Sequence, residues 1–329
     1  MFGLPAFNPF RSSLSRLDSV MRNIELQVSP PSAVILMSAT IPTITAVEFL
    51  CLQSEEDSNL VVLDCTILKS ESNGYDNYLL EHIKNAKYFH YLDVTSKSLY
   101  PSMMPKSFSE FSEKVGKLGI KSTDKIVIYD RVGFLGSPRA TFVFSSFNHP
   151  YVACLDSYEA YKQLGGAIES GNTNLQDKLM LNSSDSEKNV NKSYAESTDK
   201  PPKMWFNLEE VVNLYKSGDY KNYNVIDTRP ESMYLESHLI SAINIPPPSV
   251  LTDNGSNVKQ FKDKTQLKQL LIGKNVDMAK PTLMYCNTAT TACVVKAAID
   301  SVLLNPAIIY DGSMTEYKSV GPKEYLTSQ

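Results

Sequence analysis

The stretch PTLMYCNTATTACVVKAAI, from Pro281 to Ile299, decides how this chain is read. Thr282 to Tyr285 is an apolar run of strand length, and Thr291 to Leu304 carries apolar residues at helical spacing, so the positions between them form a strand-to-helix turn. Cys286 opens that turn. A cysteine there sits over the N-terminus of the following helix, where backbone N–H groups lack intrahelical partners and the helix dipole favours an anion. The thiolate is the nucleophilic form of the side chain, so this setting makes Cys286 a candidate nucleophile. The competing reading is a small buried core residue, the commonest fate of a free cysteine.

Outward from this turn, the same order of segments occurs twice. VVLDCT (Val61 to Thr66) matches NVIDTR (Asn224 to Arg229), and YLLEHIKNAKYF (Tyr78 to Phe89) matches YLESHLISAINI (Tyr234 to Ile245). KIVIYD (Lys125 to Asp130) matches PTLMYC (Pro281 to Cys286), and ACLDSYEAYKQLGG matches IIYDGSMTEYKSVG. Four blocks in one order predict a duplicated domain. Strand-like Leu60 to Leu63, Ile126 to Tyr129 and Tyr151 to Leu155 alternate with helix-like Ser107 to Leu118 and Pro138 to Phe147, which predicts an α/β fold with a parallel sheet in each half. The total of 329 residues is ample for two cores. Where the second half places Cys286, the first places Asp130, so only the second is expected to do sulfur chemistry.

The expected organisation is a leader or disordered tail over 1–40, an inactive domain over 41–168, a polar linker over 169–202, a catalytic domain over 203–322 and a tail over 323–329. Residues 1 to 36 carry Arg11, Arg16 and Arg22 among serines with one early acid, Asp18, which resembles a matrix-targeting leader as well as a disordered tail. Met37 is a second candidate start, so cytoplasmic and mitochondrial forms are both expected. The segment 169–202 is rich in Ser, Asn, Asp and Lys and ends in Pro201-Pro202, a linker composition. Trp205, the only tryptophan, reads as a packing anchor.

A hydrophobic fraction of 42%, a charged fraction of 21% and a formal net charge of −4 are those of an ordinary globular protein and argue against direct nucleic-acid binding. No membrane partner is expected. Five cysteines, odd in number and without CxxC pairing, fit a reducing compartment. Cys293, two helical turns beyond Cys286, reads as core. The four histidines show no ligand spacing with the cysteines, so neither metal nor cofactor is expected.

Asp227-Thr228-Arg229 followed by SHLISAINIP (Ser237 to Pro246), a strand ending in Tyr285-Cys286, and Tyr310-Asp311-Gly312-Ser313 resemble the rhodanese homology domain. Two such domains with an inactive first half resemble the thiosulfate and 3-mercaptopyruvate sulfurtransferases over residues 41 to 322. Asp130, Ser137-Pro138-Arg139 and Leu164-Gly165-Gly166 are similar to that family's first domain, and the nearest branch is the fungal sulfurtransferases that serve thiolation of tRNA wobble uridine. The fold implied is two tandem rhodanese-like domains, each a parallel sheet flanked by helices.

The resemblance implies a sulfur relay in which Cys286 takes sulfur from 3-mercaptopyruvate, thiosulfate or a cysteine desulfurase, holds it as a persulfide and passes it to an acceptor thiol. The acceptor class is a protein such as thioredoxin or the activating enzyme of a ubiquitin-like sulfur carrier. Thr288 matches a hydroxyl position tied to proton transfer, or is a turn hydroxyl bonded to its own backbone. His82 matches a histidine of the same relay, with His238 as its structural copy. Arg229 matches an arginine that binds a substrate carboxylate; the other reading is an ion pair holding the strand end. Asn287, Ala289, Thr290 and Thr291 complete the cradle, whose successive backbone N–H groups form a nest for the added sulfur. Two features depart from the family. Asn287 and Ala289 stand where glycine is usual, and alanine tolerates a left-handed backbone poorly. No second arginine follows between Pro230 and Glu236. A non-catalytic scaffold is the alternative reading. A phosphatase needs a longer loop ending in arginine, and Ala292 stands at that position.

Overall fold

The computed structural model describes residues 39–55, 59–67, 74–90, 104–105, 107–171, 203–252 and 258–328. Residues 1–38 of the expected leader and residues 172–202 of the expected linker lie outside them. The first half contains β1 (Thr43–Ile44), α1 (Ala46–Ser54), β2 (Leu60–Asp64), α2 (Gly74–Leu80), β3 (His82–Ile83), β4 (Lys87–Tyr88), α3 (Phe108–Lys117), β5 (Lys125–Tyr129), α4 (Ser137–Ser146), β6 (Val152–Leu155), α5 (Tyr158–Gln163) and β7 (Ile168–Glu169). The second contains β8 (Trp205–Phe206), α6 (Leu208–Lys216), β9 (Asn224–Asp227), α7 (Glu231–Glu236), β10 (His238–Leu239), β11 (Ala242–Asn244), α8 (Lys264–Gly273), β12 (Thr282–Tyr285), α9 (Thr290–Ile299), β13 (Ile308–Tyr310), α10 (Ser313–Val320) and β14 (Leu326–Thr327).

Each half builds one five-stranded parallel sheet, β1-β6-β5-β2-β4 and β8-β13-β12-β9-β11, the same order twice. The central strands are apolar on both faces because helices cover both, as parallel sheets require. The duplication extends to single hydrogen bonds. Tyr129 Oη accepts the Ile83 N–H at 3.0 Å and Tyr285 Oη accepts the Leu239 N–H at 3.0 Å. Tyr78 donates to the Ala86 carbonyl at 2.7 Å, and Tyr234 to that of Ala242 at 2.8 Å. Capping boxes start α1 (Thr45 with Glu48) and α6 (Asn207 with Glu210), satisfying N–H groups at each helix start.

The edges differ from the sequence reading. Antiparallel pairs β3–β7 and β10–β14 carry the ends of both halves, so Glu169 and residues 326–327 are strand rather than linker or tail. The helix expected over Thr291 to Leu304 runs from Thr290 to Ile299. Its end is set by Asp300, which accepts the Ala307 N–H at 2.9 Å and turns the chain back toward β13. Buried Lys296 meets Asp300 at 2.6 Å and the carbonyls of Ala307 and Ala39 at 2.6 and 2.7 Å, three acceptors for three protons.

The halves share a core where α4 packs on α9, with Phe142 and Val143 among the same buried cluster as Val295 and Ala298. Within it Arg139, 0% exposed, reaches Asp311 at 2.7 Å and approaches Cys293 Sγ at 3.8 Å. Burial pushes the Cys293 thiol up to about 11, although Arg139 pulls it down, so Cys293 is a neutral core thiol. In the first half His149 is buried, with Nε2 2.9 Å from the Asp124 carbonyl, and burial pushes its pKa down to about 4. Since the unfolded chain binds this proton near pH 6.5, stability contributed by neutral His149 is present above that pH and is lost as pH falls toward 4. His149→Gln is expected to remove up to about 3 kcal/mol of this acid sensitivity, read from urea midpoints between pH 4 and 7.

Candidate functional site

Cys286 follows β12 directly and is 3% exposed, while Asn287, Thr288, Thr290 and Thr291 are partly exposed, so the loop meets solvent beside a shielded thiol. The turn closes through Ala289, whose φ of 60° is left-handed. Such a backbone costs an alanine about 1–2 kcal/mol, so something must hold it. Ser313 does so. Its hydroxyl accepts the Cys286 and Ala289 N–H groups at 3.3 and 3.1 Å and donates to the Tyr310 carbonyl at 2.8 Å. The loop carbonyls of Cys286 and Asn287 in turn accept the Met314 and Thr315 N–H groups that start α10. The nest is therefore smaller than expected, because the Ala289 N–H points to Ser313. The Cys293 N–H bonds back to the Ala289 carbonyl at 3.3 Å, which leaves the N–H groups of Thr291 and Ala292 as open donors of the helix's first turn.

Ser313 was legible only as part of the motif Tyr310 to Ser313; no spacing marked it as the clamp on a loop 24 residues earlier. Ser313→Ala is expected to lower stability by about 2 kcal/mol, two amide bonds at about 1 kcal/mol each, and to slow sulfur transfer more than it changes binding. Denaturant midpoints and separate kcat and KM values would check this.

The first half shows what such a turn holds. Asp130 ends β5 as Cys286 ends β12, and its carboxylate accepts the N–H groups of Val132, Leu135, Gly136 and Ser137 and the Ser137 hydroxyl, at 2.7 to 3.2 Å. The strand-to-helix turn is thus a ring of donors around an anion, tied to the N-terminus of α4.

The other candidates fall into two groups. Thr288, Thr290 and Thr291 stay with Cys286, and Thr291 Oγ1 lies 3.1 Å from Thr228 Oγ1, which also donates to the Tyr285 carbonyl at 3.3 Å. Thr228 was not singled out in the sequence and ties the end of β9 to the first turn of α9. Asn287 donates to Met233 Sδ at 3.4 Å at the rim. Arg229, by contrast, is 2% exposed and turned inward. Its Nη2 donates to Asp227 at 2.6 Å and to the Ser237 carbonyl at 2.5 Å, and its Nε to Asp227 at 3.0 Å. Burial opposes its charge, but Asp227 more than offsets this and holds it above the ordinary arginine value, with Cys286 within electrostatic reach. This is the ion pair that fastens the strand end.

His82 sits in the same cage as its copy. Nδ1 of His82 and of His238 lies 2.7 Å from the Tyr78 and Tyr234 carbonyls, and the rings stack on those tyrosines at 4.0 and 3.9 Å. His82 is fully buried, with Nε2 3.3 Å from Glu169 but off the line of a hydrogen bond. What makes His238 structural applies equally to His82. Among the described residues no group of three or more His, Cys, Asp or Glu is placed to hold a metal, and no helix is long and apolar enough to cross a membrane.

Residues 207–320 match the rhodanese-like domain family. The probable 3-mercaptopyruvate sulfurtransferase of Schizosaccharomyces pombe is 26% identical over 78% of this chain and 86% of its own length. The thiosulfate sulfurtransferase TUM1 of Saccharomyces cerevisiae is 26% identical over 83% and 93%. Residues 207–320 thus form a rhodanese-like domain, and over most of its length the chain is similar to thiosulfate and 3-mercaptopyruvate sulfurtransferases. The solved Tum1 structure from S. cerevisiae superposes with a TM-score of 0.73 over 88% of this chain and 98% of that one, at 24% identity, which shows the shared fold. Both halves of this sulfurtransferase share one architecture, and the turn that holds Asp130 after β5 in the first holds Cys286 after β12 in the second.

Proposed function

We propose that Cys286 is the sulfur carrier. Its thiolate attacks the sulfur of 3-mercaptopyruvate, thiosulfate or a cysteine desulfurase persulfide. A sulfur–sulfur bond forms, and the donor's bond to that sulfur breaks with its electron pair leaving on the departing fragment. An acceptor thiolate then takes the outer sulfur and returns Cys286 as a thiolate. Asp130 is the observation that carries this reading, because the equivalent turn in the first half surrounds a carboxylate with five donors. The open N–H groups at the start of α9 would serve the anionic outer sulfur in the same way. With Asp130 in place of a thiol, the first half is the inactive partner.

Thr288, partly exposed in this loop, remains the hydroxyl assigned to proton transfer, while Arg229 and His82 are assigned to holding the site's frame. The acceptor is a protein thiol, of the thioredoxin or sulfur-carrier-activating class, and delivery toward wobble-uridine thiolation in cytoplasm and mitochondria rests on motif resemblance. Incubation with 3-mercaptopyruvate and with thiosulfate, followed by peptide mass mapping, tests the carrier. The expected result is one added sulfur atom on the peptide holding Cys286, removed by a thiol. No adduct with either donor or with a desulfurase would favour the scaffold reading.

A further inference from the structure

The peptide bond between Tyr285 and Cys286 is held along both edges. On one side the Tyr285 carbonyl accepts the Thr228 N–H at 2.9 Å and the Thr228 hydroxyl at 3.3 Å. On the other the Cys286 N–H donates to Ser313 Oγ at 3.3 Å. Thr228 is fully buried, and its Oγ1 lies 3.1 Å from that of Thr291, in the partly exposed first turn of α9. A carbonyl only accepts, so the Thr228 hydrogen goes to Tyr285 and the Thr291 hydrogen to Thr228. One chain of hydroxyls thereby joins the residue before the thiol to the helix turn whose N–H groups are open.

The duplication supplies a comparison within the molecule. Cys65 stands where Thr228 does, and its N–H makes the same bond to the Tyr129 carbonyl at 2.8 Å, but a thiol replaces the hydroxyl. Tyr158 stands where Ser313 does, and its hydroxyl donates to Glu81 at 2.8 Å. Pro138 is the second residue of α4, as Thr291 is of α9. The backbone bond that extends the strand pairing is repeated in both halves, so the fold asks for no hydroxyl at this position. The hydroxyl chain belongs to the half with the cysteine.

We infer, on the reading of Cys286 as sulfur carrier, that Thr228 is a positioning residue for sulfur transfer. Acting through Thr291, its hydroxyl fixes where the Thr291 and Ala292 N–H groups stand relative to the Cys286 sulfur, and so how well they meet the negative charge of the outer sulfur. A fully buried side chain touches neither donor nor acceptor. Its loss misplaces oriented donors, which slows the transfer and leaves binding of the donor molecule nearly as it was.

Steady-state transfer from thiosulfate to dithiothreitol tests this, with a melting curve for each variant. Thr228→Val keeps the shape and removes the hydroxyl, and is expected to lower kcat on the order of tenfold with KM for thiosulfate within about twofold of wild type. Thr228→Ser, which keeps the hydroxyl, is expected to hold kcat within about threefold of wild type. Thr291→Val is expected to slow transfer as Thr228→Val does, and the double variant no further, because the two hydroxyls act as one chain. Thr291 is partly exposed, so its variant carries the test should Thr228→Val fail to fold. Wild-type kcat in either valine variant, a serine variant as slow as the valine one, or additive losses in the double variant would overturn the role of Thr228. Peptide mass mapping separates this from failure of the carrier: sulfur on Cys286 with normal kinetics in the valine variants overturns the role of Thr228 alone, whereas no sulfur on Cys286 in the wild type overturns the carrier and this role with it.

Discussion

Cys286→Ser is expected to lower sulfur transfer by about four orders of magnitude, from thiosulfate and from 3-mercaptopyruvate alike. The reason is chemical rather than steric. A serine hydroxyl fits the same turn, and the Ser313 clamp grips the backbone N–H of residue 286 rather than its side chain, so the loop is kept. What disappears is the sulfur atom that forms the sulfur–sulfur bond. The thermal midpoint should stay close to wild type, and the variant should carry no added sulfur. Cys293 offers no substitute nucleophile, since it is fully buried and its pKa is pushed up to about 11. Initial rates beside a melting curve would check both halves of this expectation; retained turnover would place the carrier elsewhere.

The largest effect on stability is expected from Arg139→Ala, a loss of about 3–5 kcal/mol. The side chain is fully buried between the two halves, its guanidinium 2.7 Å from Asp311 and 5.2 Å from the Phe142 ring. Truncation removes the cation facing a carboxylate that is itself 3% exposed, and breaking one side of a buried ion pair is far more costly than the intact pair is stabilising. Arg139→Met with Asp311→Leu, which removes both charges and keeps most of the volume, should therefore recover much of the loss. Urea unfolding of the single and double variants would show it. A double variant no better than Arg139→Ala would mean that packing, rather than charge, dominates this contact. Asp311 directly precedes the Gly312-Ser313 clamp, so the same substitution is expected to reach the site, as slower transfer at temperatures where the protein is still folded.

Much of the architecture is legible in the sequence. The paired blocks around Asp64 and Asp227, Tyr129 and Tyr285, and His82 and His238 recur because each pair performs the same backbone task, and the two sheets with one strand order follow from them. Boundaries were less legible. Residues 326–327 read as a tail because a two-residue strand has no periodicity, yet they pair with β10. The site was half legible in the same sense. Cys286 stood out because the strand-to-helix turn is a local pattern, whereas Arg229 and His82 are defined by what lies opposite them.

The order of residues, by itself, determined the duplication, the parallel α/β halves and the single thiol at a helix mouth, because strand period, helix period and turn chemistry are written over a few neighbouring positions. Tertiary structure alone decided that Ser313 clamps the left-handed Ala289, that Arg229 faces Asp227 rather than solvent, and that Arg139 joins the halves through Asp311. Those are contacts between distant segments, and the direction of a side chain is set by packing and by the cost of leaving a buried polar group unsatisfied, neither of which local sequence encodes.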